Sequence, residues 1–177
     1  VVSLDCTDDQ REGFKNKVPG VTYLFASVTN PSFFDEVTGE KIYIFDSRDD
    51  RKIKALRAEA GYEVCTVVNG GGSVAICSMS LAFNLGFRDM HVFGLDLMFS
   101  AKDYNQTHVD GIAGKSVPQQ YMSVDIKGEE VVTTPSFMEF ANQVLDLVSA
   151  AHEEKRLDSI QFYGENLVGK LWDGKFT

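Results

Sequence analysis

The chain has 177 residues, 44% of them hydrophobic, and is long enough for one domain with a proper core. Its formal net charge is −9 and no run of Lys and Arg exceeds two residues, which argues against a nucleic-acid-binding surface. No apolar stretch approaches the roughly 18 residues of a membrane span, and no signal-peptide pattern is present. We therefore expect a soluble, single-domain protein.

The cysteine content predicts the compartment. The three cysteines, Cys6, Cys65 and Cys77, are odd in number, lack C-x-x-C spacing and lie in or beside apolar runs. They are interpreted as small buried hydrophobic residues in a reducing, cytoplasmic environment. A buried-strand pattern begins at Val1 itself, so we also expect the chain to be a fragment of a longer protein.

The first half of the chain alternates short apolar strand patterns with helix patterns. Residues 8–17 are predicted as a solvent-exposed helix or loop. The strands are predicted at residues 1–4, 21–27, 41–45 and 62–68, and the helices within residues 32–36, 49–60 and 73–85. The last of these helices is apolar nearly all round, which predicts a central, buried position.

The second half continues with a strand at residues 90–93 and then a polar loop at residues 98–120. A β-hairpin is predicted near 121–133, followed by a helix at 134–154, a strand at 159–163 and a tail at 164–177. Short apolar strands that alternate with helices indicate an α/β fold with a parallel sheet covered on both faces.

The most informative stretch is the turn Asn69-Gly70-Gly71-Gly72-Ser73, which joins a strand to an apolar helix. Glycines allow a positive φ and close approach of a ligand, and the first N–H groups of a helix attract anions. Neither G-x-G-x-x-G nor the P-loop pattern is matched, so a phosphate site and a purely structural turn remain alternatives.

Polar residues follow several of the predicted strands, where an open parallel sheet binds its ligands. Carboxylates beside an anion-binding helix end would suit a metal–phosphate or nucleotide ligand. Asp46 is also interpreted as a helix cap, and Asp5 and Asp96 have the same alternative. The residues at the strand ends are Asp5, Ser27, Asp46, Arg48 and Asp96.

Two histidines receive different interpretations. His108 lies in the polar loop, 12 residues beyond Asp96, and is a candidate general base or ligand contact, although a solvated loop histidine is the alternative. His91 lies inside a strand and is interpreted as a packed side chain.

Four motifs together resemble the MptE-like 6-hydroxymethylpterin diphosphokinase family, whose domain also occurs in motility accessory factors that glycosylate flagellin. They occur in the order and at about the spacing of the family pattern. The motifs are Asn69-Gly70-Gly71-Gly72-Ser73-Val74, Gly86-Phe87-Arg88, Phe93-Gly94-Leu95-Asp96 and Thr107-His108-Val109-Asp110-Gly111.

The resemblance implies a Rossmann-like three-layer αβα fold and a transferase with a nucleotide donor. One implied reaction is diphosphate transfer from ATP to a hydroxymethyl-dihydropterin with Mg²⁺. An alternative is transfer of a nonulosonic acid from a CMP-sugar, and a further alternative is a non-catalytic phosphate-binding module.

The resemblance also implies roles for particular residues. His108 and Asp96 would be catalytic, Asp5 and Asp96 would hold Mg²⁺, and the remaining positions would bind phosphate or ligand. These positions are Asn69, Gly70, Gly71, Gly72, Ser73, Ser27 and Arg48. The family pattern also includes a G-x-G-P-S-L loop that does not occur in this sequence, so we expect the glycine turn to form one wall of the phosphate site.

Overall fold

The computed structural model describes residues 1–4, 11–15, 17–47, 51–61, 67–68, 71–99 and 120–172. Contacts within the chain divide it into two compact units, Val1–Leu81 and Ala82–Thr177. Both units combine helices with small sheets, and the sheets of the chain taken together are mostly parallel, so the predicted α/β class is confirmed. The single-domain organisation stays a prediction.

The first unit contains a parallel sheet of three strands in the order β1-β2-β3. These strands are β1 (Val2–Ser3), β2 (Thr22–Ala26) and β3 (Lys41–Phe45). A parallel bridge between Asp46 and Val67 continues the pairing beyond β3. Because all these strands run in the same direction, their carboxyl ends lie at the same edge of the sheet.

Helices follow the strands of this unit as the sequence predicts. The segment 8–17, predicted as a helix or loop, contains a short 3₁₀ helix in its described part. The helices are the 3₁₀ helix Arg11–Phe14, α1 (Ser32–Glu36), α2 (Arg51–Glu59) and α3 (Val74–Asn84), whose last three residues belong to the second unit.

Apolar side chains pack on both faces of this sheet, because successive residues of a strand point to opposite faces. Ala26 and Phe45 form a buried cluster with Cys77 and Leu81 of α3. The opposite face carries an aromatic cluster, in which the Phe14 ring lies 4.8 Å from Phe33 and 5.7 Å from Phe25. The buried members of the second cluster are Tyr23, Phe25, Phe33 and Val37.

The second unit has a parallel pair of strands and an antiparallel hairpin. Strand β4 pairs with β7, and β5 pairs with β6 as the predicted hairpin. Its elements are β4 (Asp89–Val92), β5 (Met122–Ile126), β6 (Glu129–Thr133), α4 (Pro135–Glu153), β7 (Ser159–Phe162) and α5 (Leu167–Leu171). None of the helices in the described part of the chain is long and apolar enough to cross a membrane.

Local chemistry explains the helix ends in this unit. The Thr134 side chain accepts a hydrogen bond from the Phe137 N–H at 3.1 Å, and Pro135 occupies the first helical position, as predicted for α4. The predicted tail at 164–177 is corrected, because it contains α5. The Asn166 side chain caps this helix by accepting from the Gly169 N–H at 2.6 Å.

Packing inside the first unit requires glycine at position 71. Gly71 has a φ of +51°, and a Cβ built on it would lie 2.5 Å from Cγ2 of Ile76. Ile76 is 2% exposed, so moving its side chain away from an added Cβ would disturb its packing with neighbouring residues. The turn therefore packs directly on the first turn of α3, which is an internal reason for a glycine in addition to the expected approach of a ligand.

We expect Gly71→Ala to destabilise the protein by about 2–4 kcal/mol, since a left-handed alanine costs about 1–2 kcal/mol and the clash with Ile76 adds more. Gly39→Ala is the matched control, because Gly39 has a φ of +90° and no atom within 4 Å of its added Cβ. Urea unfolding of both variants measures the difference. If Gly71→Ala and Gly39→Ala lose the same free energy of unfolding, the clash with Ile76 costs nothing and the prediction is wrong.

Burial also controls the chemistry of Cys77, which is 0% exposed. Desolvation of the thiolate raises the pKa of the Cys77 thiol from 9.0 to about 11. In a Cys6→Ser/Cys65→Ser variant we expect reaction with a disulfide reagent at pH 8 to occur only on unfolding in urea. Rapid labelling of the folded protein at pH 8 would contradict the protection of Cys77.

The raised pKa of Cys77 also makes stability depend on pH. Because the pKa is raised in the folded state, the contribution of the Cys77 thiol to stability is complete below pH 9 and is lost as the pH rises towards 11.

Candidate functional site

The first unit contains a cavity of about 470 Å³ at the carboxyl end of β1. All of its described lining residues belong to this unit. They are Val2, Ser3, Leu4, Phe14, Gly72, Ser73 and Val74.

Three elements form this cavity. The chain leaves β1 at Leu4, α3 begins at Val74, and Phe14 comes from the 3₁₀ helix. Phe14 packs with the aromatic cluster on one face of the sheet, whereas α3 packs on the other face. The cavity therefore lies beyond the carboxyl end of β1, between Phe14 on one face of the sheet and the start of α3 on the other. Ligands bind at this position in open α/β sheets.

The amino end of α3 forms part of the cavity wall. The Ser73 hydroxyl oxygen accepts a hydrogen bond from the Ile76 N–H at 3.4 Å, and the Ser73 carbonyl accepts from the Cys77 N–H at 3.2 Å. The amides of Val74 and Ala75 precede these two, and helix geometry gives them no acceptor within the helix. The positive end of the helix dipole is thus directed towards the cavity.

Ser73 caps the helix and retains the ability to donate. Its hydroxyl accepts from Ile76 and keeps its own proton for a further acceptor. None of the lining residues that the structure describes is charged. Among the described residues, an anion in this cavity would be held by backbone N–H groups, a hydroxyl and the helix dipole.

The residues that end β2 and β3 lie elsewhere in the first unit. Ser27 is exposed, its N–H donates to the Phe45 carbonyl at 2.8 Å, and it does not line the cavity. Asp46 is 1% exposed, and its carbonyl accepts from the Val68 N–H at 2.7 Å. Its interpretation as a helix cap stays a prediction, because residues 48–50 lie outside the described residues.

Asp96 lies in the second unit, on an exposed loop that follows β4. Its backbone carbonyl accepts from the Leu167 N–H at 2.8 Å. The next residue, Leu97, has a φ of +52°, and its carbonyl accepts from the buried Thr133 hydroxyl at 2.7 Å. A left-handed leucine is unfavourable by itself, and such conformations persist where the surroundings fix them. Hydrogen bonds from Leu167 and Thr133 therefore hold the backbone carbonyls of Asp96 and Leu97, while the Asp96 side chain stays exposed.

Several predicted site residues lie outside the described residues. Of the described phosphate-site predictions, Gly72 and Ser73 line the cavity, and Gly71 shapes the turn beside it. The chain reaches the cavity at Leu4, immediately before Asp5 in the sequence. The residues outside the description are Asp5, Arg48, Asn69, Gly70 and His108.

A metal ion would find little support from the described residues alone. Within the described ranges no group of three or more His, Cys, Asp or Glu side chains could hold a metal. Mg²⁺ commonly uses one or two carboxylates together with substrate phosphates. Of the two predicted magnesium ligands, Asp96 is described and exposed, which fits an ion shared with a ligand rather than one enclosed by protein.

The structure also reveals side chains that the sequence reasoning missed. His91 is exposed, and its Nδ1 lies 2.7 Å from the Tyr163 hydroxyl, so its interpretation as a packed residue is wrong. Phe93 is 70% exposed and stacks on Tyr163. The alternation of Asp89 and His91 in β4 with Phe93 just beyond it is a signal that could have indicated a common exposed face.

Comparison with known proteins supplies the family. No curated protein and no solved structure matches the chain. The family model described as 6-hydroxymethylpterin diphosphokinase MptE-like matches residues 1–102 of the 177, a range that includes the cavity and Asp96. A diphosphokinase is a transferase, so the match supports a transferase-type function at the level of the family. On this match over more than half of its length, the chain belongs to the MptE-like 6-hydroxymethylpterin diphosphokinase family.

Proposed function

We propose that this protein is a nucleotide-dependent transferase that binds the phosphate chain of its nucleotide at the amino end of α3. The observation that carries the proposal is the cavity of about 470 Å³, whose wall includes Gly72, Ser73 and Val74. A site with backbone donors and a helix dipole suits the oxygens of a phosphate better than a hydrophobic ligand.

The proposed reaction is transfer of diphosphate from ATP to the hydroxymethyl group of a dihydropterin, in keeping with the family description. The hydroxymethyl oxygen attacks the β-phosphorus of ATP and forms a new O–P bond. The bond between the β-phosphorus and the oxygen that bridges to the α-phosphorus breaks, and AMP leaves. The proton of the hydroxyl passes to a base.

A Rossmann-like three-layer αβα arrangement is part of this proposal. Its support is the packing of apolar clusters on both faces of the β1-β2-β3 sheet. In such a fold the phosphates lie beyond the carboxyl ends of the strands, near a helix amino end.

The proposed roles follow from position and chemistry. Gly72 and Ser73 contact phosphate, while Gly71 fixes the turn through its packing on Ile76. Asp96 orients the acceptor hydroxyl or a Mg²⁺ ion, and His108 accepts the proton. The other predicted phosphate or ligand contacts are Asn69, Gly70, Ser27 and Arg48.

Magnesium enters the proposal as an ion carried by the nucleotide. Asp5 and Asp96 would supply carboxylate oxygens to it, and the ion would neutralise the charge of the phosphates. The amides of the glycine turn would position the same phosphates with or without the ion.

We expect Val74→Glu to weaken binding of magnesium–ATP and of tripolyphosphate at least about tenfold, because it places a negative charge at the cavity wall. The same change should leave stability unchanged or raise it by about 0.3–1 kcal/mol, since an acidic residue at the amino end of a helix complements the dipole. Isothermal titration measures the binding, and thermal unfolding measures the stability. Loss of binding would therefore be separated from loss of folding.

Two controls accompany this variant. Val74→Gln has a similar size without the charge and should bind nearly as the parent does. Leu85→Glu changes an exposed residue, 63% accessible, just beyond the other end of α3 and should leave binding unchanged. Parent-like affinity in Val74→Glu would overturn the assignment of the cavity as the phosphate site.

We expect Asp96→Asn and His108→Ala to lower the formation of AMP from ATP and 6-hydroxymethyl-dihydropterin by about 100-fold or more. Asp96→Asn should retain the fold, because the structural contact at this position is made by the backbone carbonyl. Asp146→Asn on the exposed side of α4 and His152→Ala near its end are the matched controls.

Each outcome of this assay decides between functions. Unchanged rates in both variants would remove Asp96 and His108 from the mechanism. If the parent releases CMP from a CMP-activated nonulosonic acid and no AMP from ATP, the protein is a glycosyltransferase. Nucleotide binding without turnover of either donor would identify a non-catalytic binding module.

A further inference from the structure

We infer that Phe93 and Tyr163 form a stacking surface for a planar nitrogen heteroaromatic ring, the class to which pterin and adenine belong. This surface lies within the second unit and is separate from the α3 cavity in its residues. The choice of ligand class rests on the proposed function, since both substrates of that reaction contain such a ring.

The two side chains form a fixed pair of rings. Their centroids are 4.3 Å apart and the ring planes differ by 10°. Phe93 is 70% exposed, so a large part of its ring surface is open to solvent. The Tyr163 N–H donates to the Val92 carbonyl at 2.9 Å, which continues the β4–β7 pairing up to these rings.

Hydrogen bonds fix the Tyr163 side chain. Its hydroxyl donates to Oε1 of Gln161 at 2.8 Å and lies 2.7 Å from Nδ1 of His91. Because the single hydroxyl proton is used towards Gln161, His91 must donate from Nδ1. The Phe93 ring thus stacks on a partner that is itself held by two polar side chains.

The polar groups and the rings share one face of the β4–β7 pair. His91 is directly opposite Gln161 in the register, and Phe93 and Tyr163 each follow two residues later. Alternation along a strand places residues i and i+2 on the same face. In the neutral tautomer, Nε2 of His91 is an acceptor, and the Gln161 amide nitrogen is a donor. A flat ring with nitrogen and oxygen atoms at its edge can stack on the aromatic side chains and form hydrogen bonds with His91 and Gln161. An aliphatic group can only contact the aromatic side chains.

A second exposed phenylalanine provides the contrast. Phe87, just before β4, is 60% exposed, but it has no stacking partner among the described residues. Isolated apolar side chains on a surface are common and need no ligand. Phe93 differs because its ring is already ordered, so a ligand that stacks on it loses less conformational entropy. It also precedes Asp96 by three residues and lies within the range matched by the diphosphokinase family.

The test is a binding titration of the full chain with 6-hydroxymethylpterin and, separately, with adenosine. We expect Phe93→Ala to weaken binding of at least one ring about tenfold, as for loss of a stacked base. Phe93→Trp should retain binding, because it preserves an aromatic face. Phe87→Ala is the matched control and should bind as the parent does.

The two probes and a third titration separate the outcomes. Binding of pterin alone assigns the surface to the acceptor, and binding of adenosine alone assigns it to the nucleotide base. Equal affinity of Phe93→Ala and Phe87→Ala for both rings, or no binding of either ring by the parent, overturns the inference. Tripolyphosphate contains no ring and reports on the α3 cavity, so its failure to bind would overturn the proposed phosphate site and leave the ring surface to be judged by its own titrations.

Discussion

The packing of α3 across the β1-β2-β3 sheet is the interaction on which the candidate site depends. Cys77 and Leu81 of the helix contact Ala26 and Phe45 of the sheet, and all four are buried. Such contacts stabilise by roughly 1.5–3 kcal/mol for each large apolar side chain fully buried. Because the helix is fixed along its length, its amino end is fixed too, and the backbone donors of its first turn stay at the carboxyl end of β1.

Each unit contains a restricted backbone position. In the first unit, Gly71 lets the turn approach Ile76 so closely that a single added carbon would clash. In the second unit, Leu97 adopts a left-handed conformation while Thr133 bonds its carbonyl. Each restricted residue lies beside a position expected to contact ligand, Gly72 in one case and Asp96 in the other. Unfavourable local conformations of this kind are retained where surrounding packing and hydrogen bonds determine them.

Sequence reasoning was most successful where local pattern determines structure. Alternating apolar segments located β2, β3, the hairpin and α4, because strand period, turn residues and the Thr134 cap all act over a few residues. The burial of Asp46 and the His91–Tyr163 contact depend on strand pairing between distant parts of the chain, which local pattern does not encode. The short α5 was missed because five residues carry too little periodicity to identify a helix.

The central claim is that the amino end of α3 binds phosphate oxygens. Its most direct test is a titration of the ¹⁵N-labelled chain with tripolyphosphate, followed through the backbone amide resonances. The account predicts saturable shifts that are largest at Gly72, Ser73, Val74 and Ala75, with small changes at the other end of the helix near Asn84. Saturable binding with its largest shifts elsewhere, or no shift in the first turn of α3, would contradict it.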